Sequence, residues 1–198
     1  FHFANAAMLP LVGQKLALQD RNAGTSLMSA CIVAAQIIMV PMAMLVGRKA
    51  NCWGRKPLFL AGFLILPIRG TLYTFSDNPY WLVGVQLLDG VGAGLYGALF
   101  PLIVADLMEG TGRFNVALGA VMTAQGIGAS LSTTLAGLVV LKAGYSAAFL
   151  TLAAVATLGA VVFFLAMPET YPRPSRKIGK RSQSGASSAS APAMHPTG

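Results

Sequence analysis

Six long apolar stretches dominate the sequence, and charged residues, Gly or Pro bound each of them. A helix needs about 20 mostly apolar residues to cross the roughly 30 Å hydrocarbon layer of a bilayer. The stretches cover residues 1–18, 26–46, 58–75, 80–105, 115–141 and 147–167. The pattern therefore predicts an all-α membrane protein with six transmembrane helices, in which short connections make consecutive helices antiparallel neighbours.

The composition supports a membrane protein. Of the 198 residues 55% are apolar and 10% are charged, and the mean hydropathy is +0.66. About a quarter of the residues of a soluble domain are charged, so a soluble fold of this sequence would lack the polar surface to cover itself. The net charge of +8 would suggest nucleic acid as the partner of a soluble protein. Here the basic residues flank the apolar stretches, so we expect the lipid bilayer as partner and no nucleic acid.

Lysine and arginine are distributed unequally between the two sides of the predicted bundle. Ten lie in the connections after spans two and four and beyond span six, whereas only Arg21 and Lys142 lie on the opposite side. Cytoplasmic segments of membrane proteins carry the excess of Lys and Arg. We therefore expect the connection 48–57 and the C-terminus to be cytoplasmic, in a cell (inner or plasma) membrane.

The two ends of the chain differ from its apolar body. Residues 168–198 are rich in Pro, Ser, Ala and basic residues, which predicts a disordered cytoplasmic tail that includes His195. The chain opens on Phe1 without a basic region before its first apolar stretch, so we expect no signal peptide and a missing N-terminal part. Cys31 and Cys52 form no CxxC motif, so neither a disulfide, a metal site nor a cofactor is predicted.

The connection after span two reads GRKANCWGRKPL, residues 47–58. It resembles the signature loop of the major facilitator superfamily: a Gly, three residues, an acid, a base, one residue, a second Gly and two bases. Four positions match its glycines and final bases: Gly47, Gly54, Arg55 and Lys56. Asn51 stands where the acid belongs and Cys52 where the first base belongs. Such departures are typical of the weaker copy of the loop between helices eight and nine.

The resemblance implies that this chain is the C-terminal six-helix half, helices seven to twelve, of a secondary active transporter of small solutes. In that family two halves alternate access to a central site, so the missing N-terminal half would be a partner. Signature-loop bases pair there with an acid at the cytoplasmic end of helix four or ten, forming a conformational latch. The matching positions are Arg55 and Asp106, with Arg113 following. Efflux of drugs or other small organic molecules is common in this family, so the resemblance also favours that function.

Two charged residues fall deep inside predicted spans. Arg69 lies eleven residues after Leu58, about 16 Å along a helix, and Asp89 lies nine residues after Tyr80, about 13 Å from the opposite face. In a layer of about 30 Å the two have nearly the same depth. Charges inside a membrane are costly and mark a function or a partner. We expect a structural ion pair or a proton-coupled switch; the alternative is an arginine that binds an anionic substrate.

Asp89 is the residue for which we hypothesise proton coupling, because a carboxylate in the membrane can load and release a proton as its surroundings alternate. Uncharged polar residues within the spans could line a cavity, or they could form interhelical hydrogen bonds. These are Asn5, Gln14, Gln36, Gln86 and Gln125. Lys15 is expected to extend to the outer interface.

Small residues and prolines recur within the spans. Small residues four apart let helix backbones approach closely in lipid, as in the pairs Gly90 with Gly94 and Gly128 with Ser132. Prolines remove a backbone hydrogen bond and permit bends. They occur at Pro10, Pro41, Pro67 and Pro101. This composition predicts tightly packed, bendable helices.

Other functions fit the sequence less well. LDGVGAG, residues 88–94, is similar to the DGxxAR segment of phospholipid-forming alcohol transferases, but Gln86 and Gly94 replace an Asp and the Arg that those enzymes need. A Ser and His protease pair also fails, since the histidines are His2 and His195. We therefore predict no enzyme. A truncated, non-transporting membrane protein or a six-helix structural or assembly protein remains the alternative.

Overall fold

The computed structural model describes residues 1–19 and 21–168, and within them the chain is helical. The helices are α1 His2–Asn5, α2 Met8–Gln19, α3 Arg21–Trp53, α4 Arg55–Leu72, α5 Pro79–Leu107 and α6 Phe114–Ala166. The predicted tail lies, beyond Pro168, outside the described residues, and so does His195. The predicted all-α architecture is confirmed.

The first predicted span consists of two short helices instead of one. Helix α1 ends at Asn5 and α2 begins at Met8. Pro10 has no N–H to donate to the carbonyl of Ala6, four residues earlier, and its ring crowds that carbonyl. This missing hydrogen bond contributes to the break at residues 6–7.

The fifth and sixth predicted spans lie within α6, which consists of two helical segments that meet at a kink. At Gly144 its backbone leaves the helical region, with φ of +83° and ψ of +175°. A residue with a side chain rarely adopts such a positive φ, so glycine permits the kink. The chain therefore changes direction there without the separate loop that the sequence pattern predicted.

The prediction of six separate spans is not reproduced by the described helices. Judged by length and hydropathy, three stretches among them could cross a bilayer: Gly24–Ala50, Pro79–Leu107 and Phe114–Ala166. Helices α1 and α2 are too short to cross alone. The 18-residue α4 carries three cations, Arg55, Lys56 and Arg69, which lower its mean hydropathy.

The connection predicted between spans two and three is mostly helix. Helix α3 continues through residues 47–53, and only Gly54 separates it from α4. No proline interrupts α3 between Gly47 and Trp53, so nothing there stops the helix. Gly54 has φ of +87° and ψ of +151°, a conformation in which glycine is strongly favoured. The turn therefore lies at Gly54, which matches the second glycine of the signature loop, and the loop expected before it is helix.

Helices α3 and α5 pack with their backbones in close approach at two glycines. A Cβ on Gly90 would lie 2.2 Å from the carbonyl oxygen of Ala35, and one on Gly94 would lie 2.8 Å from that of Met39. Both glycines are buried. The predicted small-residue pair therefore sets the distance between these helices and, with it, the position of α5.

We expect Gly90→Ala to destabilise the protein by about 1–3 kcal/mol, because the added methyl group collides with the backbone of α3. The matched control is Gly97→Ala on the same helix, where a Cβ meets nothing within 4 Å. The measurement is the unfolding midpoint of the purified protein in detergent. Equal midpoints for the two variants would contradict the close packing of α3 on α5.

Candidate functional site

Helices α4 and α5 bring Arg69 and Asp89 together. The guanidinium Nη1 of Arg69 forms an ion pair with Oδ1 of Asp89. Arg69 is completely buried, whereas the Asp89 side chain is 17% exposed. The structure therefore contains the contact that their equal depth predicted, with the carboxylate on the more accessible side.

The other donors of Arg69 reach the first two helices. Nη2 donates a hydrogen bond to Oδ1 of Asn5, at the end of α1. Nη2 and Nε also lie 3.0 and 3.3 Å from the sulfur of Met8, at the start of α2. The guanidinium lies 5.9 Å from the ring centroid of Tyr73, the residue that follows α4. All three guanidinium nitrogens are thus in contact with named partners.

Gln86 completes this buried network. Its Nε2 donates a 2.9 Å hydrogen bond to Oδ2 of Asp89, and its Oε1 accepts from the hydroxyl of Tyr73. Each carboxylate oxygen of Asp89 therefore has its own donor. Polar groups in a low-dielectric interior stabilise one another strongly when all are satisfied. The network links α1, α2, α4 and α5 through side chains alone.

Two members of the network, Met8 and Tyr73, were missed by the sequence analysis. Tyr73 follows Arg69 by four residues and Gln86 precedes Asp89 by three, spacings that put both on the same helix faces as the charges. Helical periodicity could therefore have indicated Tyr73. Met8 carries no such signal, because only the fold brings α2 to Arg69.

The other predicted cavity residues are dispersed. Gln125 donates a 2.6 Å hydrogen bond to the hydroxyl of Tyr96, which links α6 to α5. Gln14 and Gln36 are exposed on α2 and α3, outside the Arg69 network. Asn5 and Gln86, in contrast, belong to it. The polar residues therefore divide into one buried network and separate positions on other faces.

Lys15 is buried against α6, with its ammonium group 6.0 Å from the ring centroid of Phe149. It also forms an ion pair with Asp77, an exposed residue of the connection between α4 and α5. Lys15 thus extends toward the connection between α4 and α5.

A second buried ion pair joins the start of α4 to the end of α5. Arg55, 8% exposed, pairs with Asp106 and also donates a 3.1 Å hydrogen bond to the carbonyl of Leu102. Lys56 lies over the ring of Phe164, 5.1 Å from its centroid. The structure brings together the two residues expected to form the latch.

Arg113, Gly47 and Asn51 are the remaining latch and signature positions. Arg113 is exposed, precedes α6, and takes part in no ion pair among residues 1–19 and 21–168. Gly47 is exposed on α3, and Asn51 also belongs to that helix. Of the expected latch residues, only Arg55 and Asp106 meet.

Sequence comparison identifies the family that this arrangement of helices and charges suggests. Residues 1–195 match the Major Facilitator Superfamily. The chain belongs to this family. It is therefore an integral membrane protein of a transporter family and not an enzyme, as predicted.

Two relatives come from Mycobacterium tuberculosis, one from strain H37Rv and one from strain CDC 1551 / Oshkosh. Each is described as an uncharacterized MFS-type transporter and is 65% identical to the chain over 170 residues. The match covers 86% of this chain and 41% of each relative. The chain thus spans about two fifths of the length of the relatives that it matches.

Removing one member of the Arg69–Asp89 pair should destabilise this family member strongly. We expect Arg69→Met and Asp89→Leu each to lower the free energy of unfolding by about 3 kcal/mol or more, because each leaves an unpaired charge. The loss should be larger for Asp89→Leu, since Arg69 is completely buried. The double variant Arg69→Met, Asp89→Leu should lose less than half of the free energy of unfolding that the two single variants lose together. The measurement is the unfolding midpoint in detergent, and strictly additive losses would contradict direct coupling of the two charges.

Proposed function

We propose that this chain forms helices seven to twelve of a secondary active transporter that moves small solutes by alternating access. Membership of the Major Facilitator Superfamily carries this proposal, and the buried charge network supports it. The two-fifths coverage of the M. tuberculosis relatives agrees with one half of a longer transporter. The other half, the N-terminal six helices, would then complete the substrate cavity.

The proposed topology has six crossings with the C-terminus in the cytoplasm. In this arrangement α1 and α2 together form the first crossing, and the kink at Gly144 divides α6 into the fifth and sixth. The biased distribution of Lys and Arg supports the orientation. The glycine turn at Gly54 is consistent with the weaker signature loop, between helices eight and nine.

Asp89 is the proposed site of proton coupling. Its carboxylate is held by Arg69 and Gln86, and its side chain is 17% exposed, so Asp89 is the more accessible member of the ion pair. Arg69 is fully engaged by Asp89, Asn5 and Met8. This occupancy favours an internal switch over an arginine that binds an anionic substrate, because such a substrate would have to displace these partners.

Arg55 and Asp106 are the proposed conformational latch. Their ion pair joins the start of α4 to the end of α5, on the side of the bundle proposed to be cytoplasmic. A closed pair would hold these ends together while the cavity is open to the opposite side. Separation of the pair would accompany opening to the cytoplasm.

We propose small organic molecules, expelled from the cell, as the substrate class. Within the described residues the buried cations already have protein partners. A substrate of this half therefore needs apolar and hydrogen-bonding contacts more than charge.

Thiol labelling in intact cells tests the proposed orientation. We expect a membrane-impermeant maleimide to leave the exposed Cys52 unlabelled, because it lies next to the cytoplasmic turn, and to label Ser76→Cys in the opposite connection. Both are measured in a Cys31→Ala background of the full-length protein, with Cys52→Ser in the second case. Permeabilised cells, in which both sites should react, are the control. The reverse pattern would overturn the topology.

Transport by inverted membrane vesicles tests the proposed function. With ethidium as the probe, vesicles containing the full-length protein should accumulate it when a proton gradient is imposed. Asp89→Asn should reduce accumulation to the level of vesicles without the protein, because the amide cannot carry the proton, whereas Asp89→Glu should retain part of it. Glu109→Gln is the control, since Glu109 is exposed in the connection between α5 and α6. Unchanged gradient-driven uptake by Asp89→Asn would contradict proton coupling, and absence of uptake by the unsubstituted protein would contradict efflux of this organic cation.

A further inference from the structure

The break between α1 and α2 leaves a buried backbone donor that helix α6 satisfies. The N–H of Ala7 donates a 3.2 Å hydrogen bond to the hydroxyl of Ser132. Both residues are buried, at 2% and 0% exposure. A buried N–H without an acceptor is costly. Ser132 therefore replaces, from another helix, an acceptor that a continuous helix would have supplied.

The hydrogen bonds on either side of Ala7 are local ones. Ala6 donates to the carbonyl of His2, and Leu11 donates to that of Ala7, each over 3.0 Å. The helical ladder therefore resumes immediately after the break. The helical hydrogen bonding is interrupted at residues 6–7, although Ala6 itself keeps helical backbone angles, with φ of −63° and ψ of −35°.

Arg69 holds both sides of the break at the same time. Asn5, its partner in α1, is the last residue before the break, and Met8, its partner in α2, is the first helical residue after it. Both contacts come from the guanidinium that pairs with Asp89. The relative direction of α1 and α2 is thus connected to the charge on α5.

We propose that residues 6–7 form a hinge whose pivot is the Ala7–Ser132 hydrogen bond and whose angle is set by Arg69 and its partner Asp89. This inference rests on the alternating-access function proposed above and assigns Ser132 and Asn5 as positioning residues. When Asp89 is charged, it orients the guanidinium so that Nη2 and Nε lie on Asn5 and Met8. When Asp89 becomes neutral, the guanidinium loses that orientation and α2 tilts about Ser132.

Few other titratable groups face this centre within the described part of the chain. Tyr73, the residue after α4, lies beside the guanidinium, and Cys31 of α3 packs in the same buried cluster as Tyr73. Neither carries a charge near neutral pH. The charge that sets the hinge is therefore that of Asp89.

Spin-label distances in the full-length protein test the hinge without requiring a substrate. Labels at Leu18→Cys and Leu141→Cys, in a Cys31→Ala, Cys52→Ser background, place one probe on an exposed site of α2 and one on α6. The distance is measured by double electron–electron resonance in lipid nanodiscs. A tilt of about 15° moves the end of a 12-residue helix, about 18 Å long, by about 5 Å.

We expect Ser132→Ala and Asp89→Asn to broaden the distance distribution and to shift its mean by about 5 Å. The matched control is Ser130→Ala, because the Ser130 hydroxyl donates to the carbonyl of Gly126 in its own helix. Pro10→Ala, at an exposed position, should narrow the distribution, since it restores a donor for the carbonyl of Ala6. This variant tests the hinge independently should Ser132→Ala fail to fold.

Unchanged distributions for Ser132→Ala, Asp89→Asn and Pro10→Ala in monodisperse protein would overturn the hinge. The outcome is separable from that of the transport assay. A shifted distance with gradient-independent ethidium uptake would keep the hinge and reject proton coupling. Gradient-driven uptake with unchanged distances would keep the transporter and reject the hinge.

Discussion

The buried guanidinium of Arg69 is the constraint on which the arrangement of the other helices depends. A permanent positive charge within the membrane is tolerated only when its donors are satisfied. The structure supplies a carboxylate from α5, an amide oxygen from α1 and a thioether from α2. Four helices are consequently tied to one side chain, and moving any of them changes the surroundings of the charge.

The need to satisfy Arg69 also explains why α5 packs closely on α3 and why the chain breaks between α1 and α2. Gly90 lies one residue after Asp89 and lets α5 contact the backbone of α3, so the helix that carries the carboxylate is held firmly. The chain breaks between α1 and α2, next to the residues of both helices that contact Arg69. The N–H of Ala7, which the break leaves without a helical acceptor, donates to Ser132. A closely packed pair of helices next to the proposed hinge would suit the alternating access proposed above, in which packed elements rock around a central site.

Particular residues show how far the fold and the candidate site could be predicted. Arg69 and Asp89 were paired from depth alone, because the helical rise is constant and a charge in lipid needs a partner. Arg55 and Asp106 came from a family resemblance, which the superfamily match now supports. Met8 and Ser132 could not be assigned their contacts, since nothing local to either residue shows which helix it faces. The loop expected at residues 48–57 was wrong, because helix α3 continues to Trp53, and the connection expected between residues 141 and 147 is reduced to a kink at Gly144.

The sequence by itself determined that this protein belongs in a lipid bilayer, that it is all-α, and that its buried charges need partners. Those properties follow from hydropathy summed over about 20 residues and from the charges of individual side chains, which do not depend on the fold. Only the tertiary structure decided that the guanidinium of Arg69 contacts the residues on both sides of the break between α1 and α2. It also decided that Ser132, 125 positions further along the chain, accepts the hydrogen bond from the N–H of Ala7. Lipid offers no hydrogen bonds, so each interrupted backbone group must find an acceptor within the protein. The identity of that acceptor depends on how the helices pack.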